Sequence, residues 1–296
     1  MSLTVVARVD GLMNRDPSVK RRPVRPVVLA GLAMLGLAPA VEAAILFDFG
    51  PTATTGTDAL LSPGHATGAV PGGEATWNTI GATNPVTTIV NADGTSATGV
   101  AIDLGASATN GTTINFASAI NGGSLTGSSP TNTADGTIYQ GTAPGRDGIF
   151  GNGASNTTDV KVGAQITGLA AGTYTVYVTG RNTNNGAASV PETFYVGVAA
   201  PTTGTYDFTA DASAAATNPL NAGLVAFEEG VNYASFDVTV ADGQALYVVA
   251  DGTAGAEPRG FLNTIELVTP AVPEPATAGL LVFAAAPLLG RRNRRR

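Results

Sequence analysis

The sequence predicts an all-β chain, a β-sandwich over Ala44–Val268 flanked by an N-terminal signal helix and a short C-terminal transmembrane helix. Three observations carry this. Gly, Thr, Ala, Ser and Asn dominate the body and only 12% of the chain is charged, a composition suited to half-buried pleated surfaces. Short runs with period-two alternation recur between Gly-, Asn- and Asp-rich breaks. No amphipathic helical pattern stands out between the two ends, where Ala212–Ala216 reads as a helical turn at most.

At the N-terminus, Lys20, Arg21, Arg22 and Arg25 precede an apolar stretch from Val27 to Ala38. Val41-Glu42-Ala43 then offers small residues at the positions a signal peptidase requires. This three-part order is a secretory signal over residues 1–43, with cleavage expected after Ala43.

The body opens with Ala44–Gly50, where Ile45, Phe47 and Phe49 share one side and Leu46 and Asp48 the other. Weaker strands are expected at Ala75–Ile80, Thr87–Asn91, Val100–Leu104, Gly111–Phe116 and Asp159–Thr167. Gly168 to Gly172 forms a turn feeding Gly172–Gly180, in which Tyr174, Val176 and Val178 oppose Thr173, Thr175, Tyr177 and Thr179. Thr193–Val198 and Thr205–Phe208 follow. Val231–Ala241 alternates strictly, and Asp242-Gly243 after it signals a hairpin turn with Ala245–Ala250 as the return strand. Phe261–Val268 closes the body. Asn121–Asn156 and Leu61–Gly73 read as loops, and a long loop in a compact domain is functional or disordered.

Charge is unevenly placed. Ala44–Pro275 holds 19 acidic and 4 basic residues, a net charge of −15, while the whole chain carries −7. Its four cations are Arg146, Lys161, Arg181 and Arg259. Such a body excludes nucleic acid as a partner and favours solubility and attraction of divalent cations. The chain has no cysteine, which excludes thiol catalysis and cysteine-metal sites and leaves stability to the core or to bound metal. A lone histidine, His65, cannot build a multi-histidine zinc site.

Candidate chemistry is sparse. Trp77, the single tryptophan, reads as a core residue, with sugar stacking beside Asn78 as the alternative, since sugar sites combine aromatic faces with amides. Asp147, Asn152 and Asp159 concentrate oxygens in a Gly-rich stretch and are the candidate calcium ligands, although their spacing matches no EF-hand loop. Glu228 and Glu229 are adjacent, and neighbouring strand residues point to opposite faces, which disfavours shared acid–base work. Neither a Gly-x-Ser-x-Gly elbow nor a Walker loop occurs. These absences favour a non-catalytic protein. A glycan hydrolase or lyase stays open, because a glycosidase needs only two carboxylates.

The C-terminus is ordered in three parts. Thr269–Val272 links the body to Pro273-Glu274-Pro275, whose prolines hold Glu274 on a stiff extended backbone. The uncharged run Ala276–Gly290 follows, about 15 residues or ~22 Å as a helix, enough for a thin or transient membrane span. Arg291, Arg292, Arg294, Arg295 and Arg296 end the chain and favour retention on the cytoplasmic side. This order resembles the PEP-CTERM sorting tail of Gram-negative bacteria. The resemblance implies recognition and cleavage by an exosortase-type membrane protease, and export to the cell envelope or beyond, with the C-terminal helix anchored transiently or stably in the inner membrane.

A second resemblance spans most of the body. Ile45-Leu46-Phe47-Asp48-Phe49-Gly50, Thr76-Trp77-Asn78-Thr79-Ile80, Gly172-Thr173-Tyr174-Thr175-Val176-Tyr177-Val178 and Phe261-Leu262-Asn263-Thr264-Ile265-Glu266-Leu267-Val268 are similar to segments of the galactose-binding-like, malectin-like jelly roll. It implies a jelly-roll-like sandwich whose opening and closing strands lie side by side, and extracellular polysaccharide as a partner class.

Overall fold

A computed structural model of the chain describes residues 44–50, 76–81, 85–117, 123–126, 147–151, 158–182, 191–218, 228–252 and 258–269. The signal segment, the Pro-Glu-Pro motif, the apolar run and the arginine tail lie outside the described residues, as does His65. Among the described residues there is no helix, and hence none long and apolar enough to cross a membrane.

The fold is all-β, a jelly-roll-like sandwich. One layer has five strands: β1 (Ala44–Phe49), β2 (Trp77–Ile80), β8 (Gly172–Thr179), β12 (Ala234–Val240) and β15 (Thr264–Val268), in the order β12-β8-β15-β1-β2. The other has seven: β3 (Ala101–Ser107), β4 (Thr113–Asn115), β7 (Val162–Thr167), β9 (Glu192–Ala199), β10 (Thr205–Asp207), β11 (Ala212–Ala216) and β13 (Ala245–Gly252), in the order β10-β4-β3-β7-β13-β9-β11. A three-stranded ladder, β14-β6-β5, is made by β5 (Gly123–Thr126), β6 (Asp147–Phe150) and β14 (Phe261–Leu262).

The opening and closing strands pair antiparallel, Phe47 opposite Ile265 and Asp48 opposite Thr264. Alternation then sorts side chains by face. Ile45, Phe47, Phe49, Val176, Val178, Ile265 and Leu267 of the five-stranded layer meet Ile102, Leu104, Ala164, Ile166, Phe194, Leu246 and Val248 of the seven-stranded layer in one continuous core. Burying this apolar area is the main stabilising term for a chain without disulfides.

Four expectations change. Val231–Ala241 and Ala245–Ala250 do not form a hairpin: β12 pairs with β8, whereas β13 sits between β7 and β9 in the opposite layer. Asp242-Gly243, with Gly243 at φ 74, is therefore an arch between sheets. The reason is burial. All eight β13 residues are buried, which requires a central position, while Asp237 and Thr239 of β12 are exposed and suit an edge. Ala212–Ala216 is a strand rather than a helical turn, recruited by the free edge of β9. Asn121–Asn156 is not entirely loop, because β5 and β6 pair within it. Thr87–Asn91 is not a strand: Val90 makes an isolated bridge to Ser96, and Val86, just before the stretch, makes one to Ile102.

A second, smaller core lies on the outer face of the seven-stranded layer. The β4–β10 edge curls back over it, bringing Ile114, Phe116, Tyr206 and Phe208 onto Ala245, Tyr247 and Val249. Tyr206 stacks on Tyr247 with ring centroids 3.7 Å apart and planes within 8°. Its hydroxyl bridges both Asp211 carboxylate oxygens at 2.8 Å. The Tyr247 hydroxyl lies 2.6 Å from Gln165 Oε1 and 2.8 Å from the Ala200 carbonyl. The close approach needs glycine at 197, where a Cβ would meet the Asp211 carboxylate and the Tyr206 hydroxyl.

Gly197→Ala tests this curl. On local propensity the change is neutral or stabilising. Displacement of the Tyr206–Asp211 pair should instead destabilise the fold by about 1–3 kcal/mol, read as a lower denaturation midpoint by circular dichroism. A midpoint equal to that of the parent chain would contradict the packing of β10 over β9.

Candidate ligand-binding end of the sandwich

The registers place one set of strand ends together. In the five-stranded layer, the end of β1, the start of β15, the end of β8 and the start of β12 coincide. In the seven-stranded layer, the start of β9 meets the ends of β13 and β11. Asn218 Nδ2, two residues beyond β11, donates to the Gly180 carbonyl just beyond β8 at 2.6 Å, tying the layers here.

Asn263 organises this end. It is fully buried and separates β14 from β15, so that the expected single strand Phe261–Val268 belongs to two sheets. Its backbone N–H donates to the Thr179 carbonyl at 2.9 Å and its carbonyl accepts from the Phe49 N–H at 2.8 Å. Its side-chain Oδ1 accepts the Arg181 backbone N–H at 2.6 Å. A Cβ on Gly148 of β6 would collide with the Asn263 amide nitrogen, so the ladder strand packs directly on this side chain. The Thr179 and Thr264 hydroxyls meet 2.6 Å apart beside it.

Charged groups gather around these amides. Arg181 is 6% exposed, and neither its Nε nor its Nη1 has a hydrogen-bond partner. Burial alone lowers its pKa to about 10. Asn182, beside it, is buried as well. Glu192 is 0% exposed and neither carboxyl oxygen has a complete hydrogen bond. Burial holds its pKa well above the usual carboxylate range, the Phe261 amide opposing and the Asp251 charge adding to the effect. Glu192 shares the inward face of β9 with Phe194, whereas Asp251 lies opposite Thr193 and points outward with Tyr247 and Val249. Lys161 Nζ sits 2.8 Å from Asp159 and 3.6 Å from Asp251. The Arg259 guanidinium stacks 4.6 Å from the Phe150 ring centre and 5.6 Å from that of Phe261. A guanidinium is the donor that holds carboxylate and other anionic oxygens.

The residues singled out in the sequence lie differently. Trp77 is 9% exposed and packs on Leu46 on the outer face of the five-stranded layer, away from this end. Asn78 faces the other side of β2. Its Nδ2 donates to the Leu46 carbonyl at 3.0 Å and the Val90 carbonyl at 2.8 Å, and its Oδ1 accepts the Val90 N–H at 2.9 Å. It clamps the 86–92 segment to the sheet. Of the candidate calcium ligands, both Asp159 oxygens contact Lys161 Nζ. Asp147 opens β6, and Asn152 lies outside the described residues. Among the described residues no group of three acidic or histidine side chains converges as metal ligands do. Sequence reasoning missed Arg181, Asn182, Glu192, Asn218 and Asn263. The signal that was available is scarcity: three of the body's four cations, Lys161, Arg181 and Arg259, come to this one end.

A separate polar row crosses the outer face of the five-stranded layer, Trp77 opposite Leu46, Leu46 opposite Glu266, and Glu266 opposite Tyr177. Tyr177 meets Tyr233 edge to face at 6.1 Å. Glu266 is 9% exposed with Oε2 unpartnered, and burial raises its pKa to about 7.

No family model matches the chain, and no curated protein matches it in sequence. Among solved structures, the Bacillus subtilis protein YxiM is similar at 12% identity over 77% of this chain and 40% of that one, with a TM-score of 0.33. The carbohydrate-binding module TmCBM61, in complex with β-1,4-galactotriose, is similar at 12% identity over 50% of this chain and 82% of that one, TM-score 0.27. The exo-β-1,3-galactanase of Phanerochaete chrysosporium, with β-1,3-galactotriose, is similar at 15% identity over 60% of this chain and 32% of that one, TM-score 0.27. The chain thus spans about two fifths of YxiM and a third of the galactanase. Likeness of this degree assigns no activity.

Glu266 sets a pH dependence. Its folded pKa lies above its unfolded value, so between the ordinary glutamate range and about 7 the unfolded chain releases a proton that the folded chain keeps. Stability therefore falls as pH rises through that window and levels off above it. Glu266→Gln should flatten part of this fall, leaving the part due to Glu192, which has the same sign. Melting temperatures of both chains from pH 5 to 8, on the order of the window set by these carboxyls, decide it: parallel curves would refute the assignment.

Proposed function

We propose that the chain is an exported, non-catalytic glycan-binding sandwich of the cell envelope or extracellular matrix, delivered by its signal segment and its PEP-CTERM-like tail. One observation carries the binding reading. Arg181 and the amides of Asn182, Asn218 and Asn263 converge at a single end of the sandwich, and Arg181 is left without a partner for two of its nitrogens. Polysaccharide oxygens are recognised by such guanidinium donors.

Binding is favoured over hydrolysis or lysis by the placement of the carboxylates. Glu192 points into the sandwich and Asp251 outward, so these two acids share no face. A glycosidase needs its two carboxyls across one scissile bond, about 5–10 Å apart on a common cleft.

The tail supplies the address. Signal peptidase would cut after Ala43, and an exosortase-type protease would read Pro273-Glu274-Pro275 while the apolar run is held in the membrane by Arg291, Arg292, Arg294, Arg295 and Arg296. Glu274→Ala should block processing, so that the uncut chain accumulates in the membrane fraction; normal processing of that variant would refute the sorting role.

The binding reading is tested by screening the purified full-length chain on a glycan array, with calcium and with chelator. Saturable binding to one polysaccharide class is expected. Loss of that binding in chelator would place calcium at the site, and silence on every glycan would end the binding reading while leaving the tail's role standing.

A further inference from the structure

We infer that Arg181 is the anchor for a carboxylate on the ligand, so that the glycan taken at this end carries uronic-acid residues. The inference rests on the glycan-binding reading and specifies its substrate class.

The charge of Arg181 is unmatched among the described residues. A guanidinium removed from water is costly unless it is paired and hydrogen-bonded. Arg181 is 94% buried by its 6% exposure, yet Nε and Nη1 donate to nothing. Its backbone is fixed, since its N–H is held by Asn263 Oδ1 at 2.6 Å. Only burial acts on its pKa, and no neighbouring carboxylate opposes the effect.

The other described cations of the body are accommodated. Lys161 sits between Asp159 and Asp251. Arg259 lies over the rings of Phe150 and Phe261. The body has 19 acidic residues with which it could have matched a third cation. Among the described residues, none acts on the Arg181 guanidinium. Glu192, buried at the start of β9, does not act on Arg181.

The buried amides at this end are neutral: Asn263 Oδ1 accepts the Arg181 backbone N–H, and Asn218 Nδ2 donates to the Gly180 carbonyl. Amides can hold the hydroxyls of a sugar but cannot neutralise a cation. A sugar carboxylate would supply both the missing charge and the acceptor oxygens, and the planar guanidinium fits a planar carboxylate better than a tetrahedral sulfate. Buried polar groups left unsatisfied in a folded chain mark either strain or an absent ligand.

The test uses the full-length chain, with polygalacturonate, neutral galactan and dextran sulfate as probes, measured by calorimetry alongside melting temperature. The parent chain should bind polygalacturonate in preference to galactan. Arg181→Gln should weaken that binding by about 30-fold or more while its melting temperature stays level or rises, because an uncompensated buried charge has been removed. Arg181→Lys, which keeps the charge but loses the planar fork, should bind with intermediate affinity. Equal binding of polygalacturonate by the parent chain and Arg181→Gln, or binding of galactan by the parent chain as tightly as polygalacturonate, would overturn the inference and leave the glycan-binding reading intact. Binding of dextran sulfate alone would overturn the carboxylate. A fall in melting temperature in both variants would show that Arg181 is a structural group and overturn the inference at its premise. Binding of none of the three, in a chain silent on the whole array, would overturn the glycan-binding reading itself.

Discussion

The burial of β13 on both faces is the constraint from which most of the architecture follows. Leu246, Val248 and Ala250 face the main core, and Ala245, Tyr247 and Val249 face the opposite way. A strand apolar on both sides cannot sit at an edge or over solvent, so it takes the interior of the seven-stranded layer between β7 and β9. The outer side then needs its own cover, which the curled β4–β10 edge provides. Ile114 reaches over Gly105 and Gly163, where any Cβ would crowd it, and Tyr206 reaches as far as Gly197. The glycines on this face are therefore part of the packing. The sheet change at Asp242-Gly243 has the same cause: β13 is claimed by two neighbours, and β12 has to pair elsewhere.

Asn263 carries the consequences of this packing to the candidate site. The closing strand begins beside β6 and finishes between β1 and β8, and the change of partner occurs at this one residue. A buried residue at such a junction must satisfy its own backbone and that of its neighbours, and an asparagine can do both. Its Oδ1 fixes the backbone of Arg181, and its main chain ties β8 to β1. The polar end of the sandwich is thus a by-product of strand switching before it is a binding surface. Elements that must cross between sheets leave unpaired backbone groups, buried amides answer them, and one of those amides holds the Arg181 backbone N–H.

The period-two pattern made the strands themselves readable. β1, β8 and β12 fall where alternation places them, because in each the apolar set meets the core. Their partners were not readable. Alternation states which side of a strand is buried, and it is silent on which strand lies next to it, which is why a strong turn signal at Asp242-Gly243 suggested a hairpin. Ala212–Ala216 was hidden because alanine has weak strand preference and pairs here only by completing β9. β5 and β6 were hidden by their glycine content, though Gly148 is required by its contact with Asn263. The site was less legible still. An arginine one residue past a strand reads as a solvated charge, and only the fold shows that Arg181 is enclosed.

The charge distribution constrains how any anionic ligand could be held. With a net charge of −15 on the body, long-range electrostatics repel an acidic polymer rather than steer it in. Recognition would have to arise at contact, from a cation already stripped of water and fixed in place. Such an interaction is screened little by salt, whereas the repulsion from surface carboxylates is screened strongly over about 8–10 Å. The two effects act at different ranges, so surface charge would limit how often the polymer arrives and Arg181 would determine how long it stays. This division explains why a body so poor in cations would bury one without an internal partner. A guanidinium matched by one of the 19 acids of its own body would be more comfortable in the folded chain and of no use to a ligand.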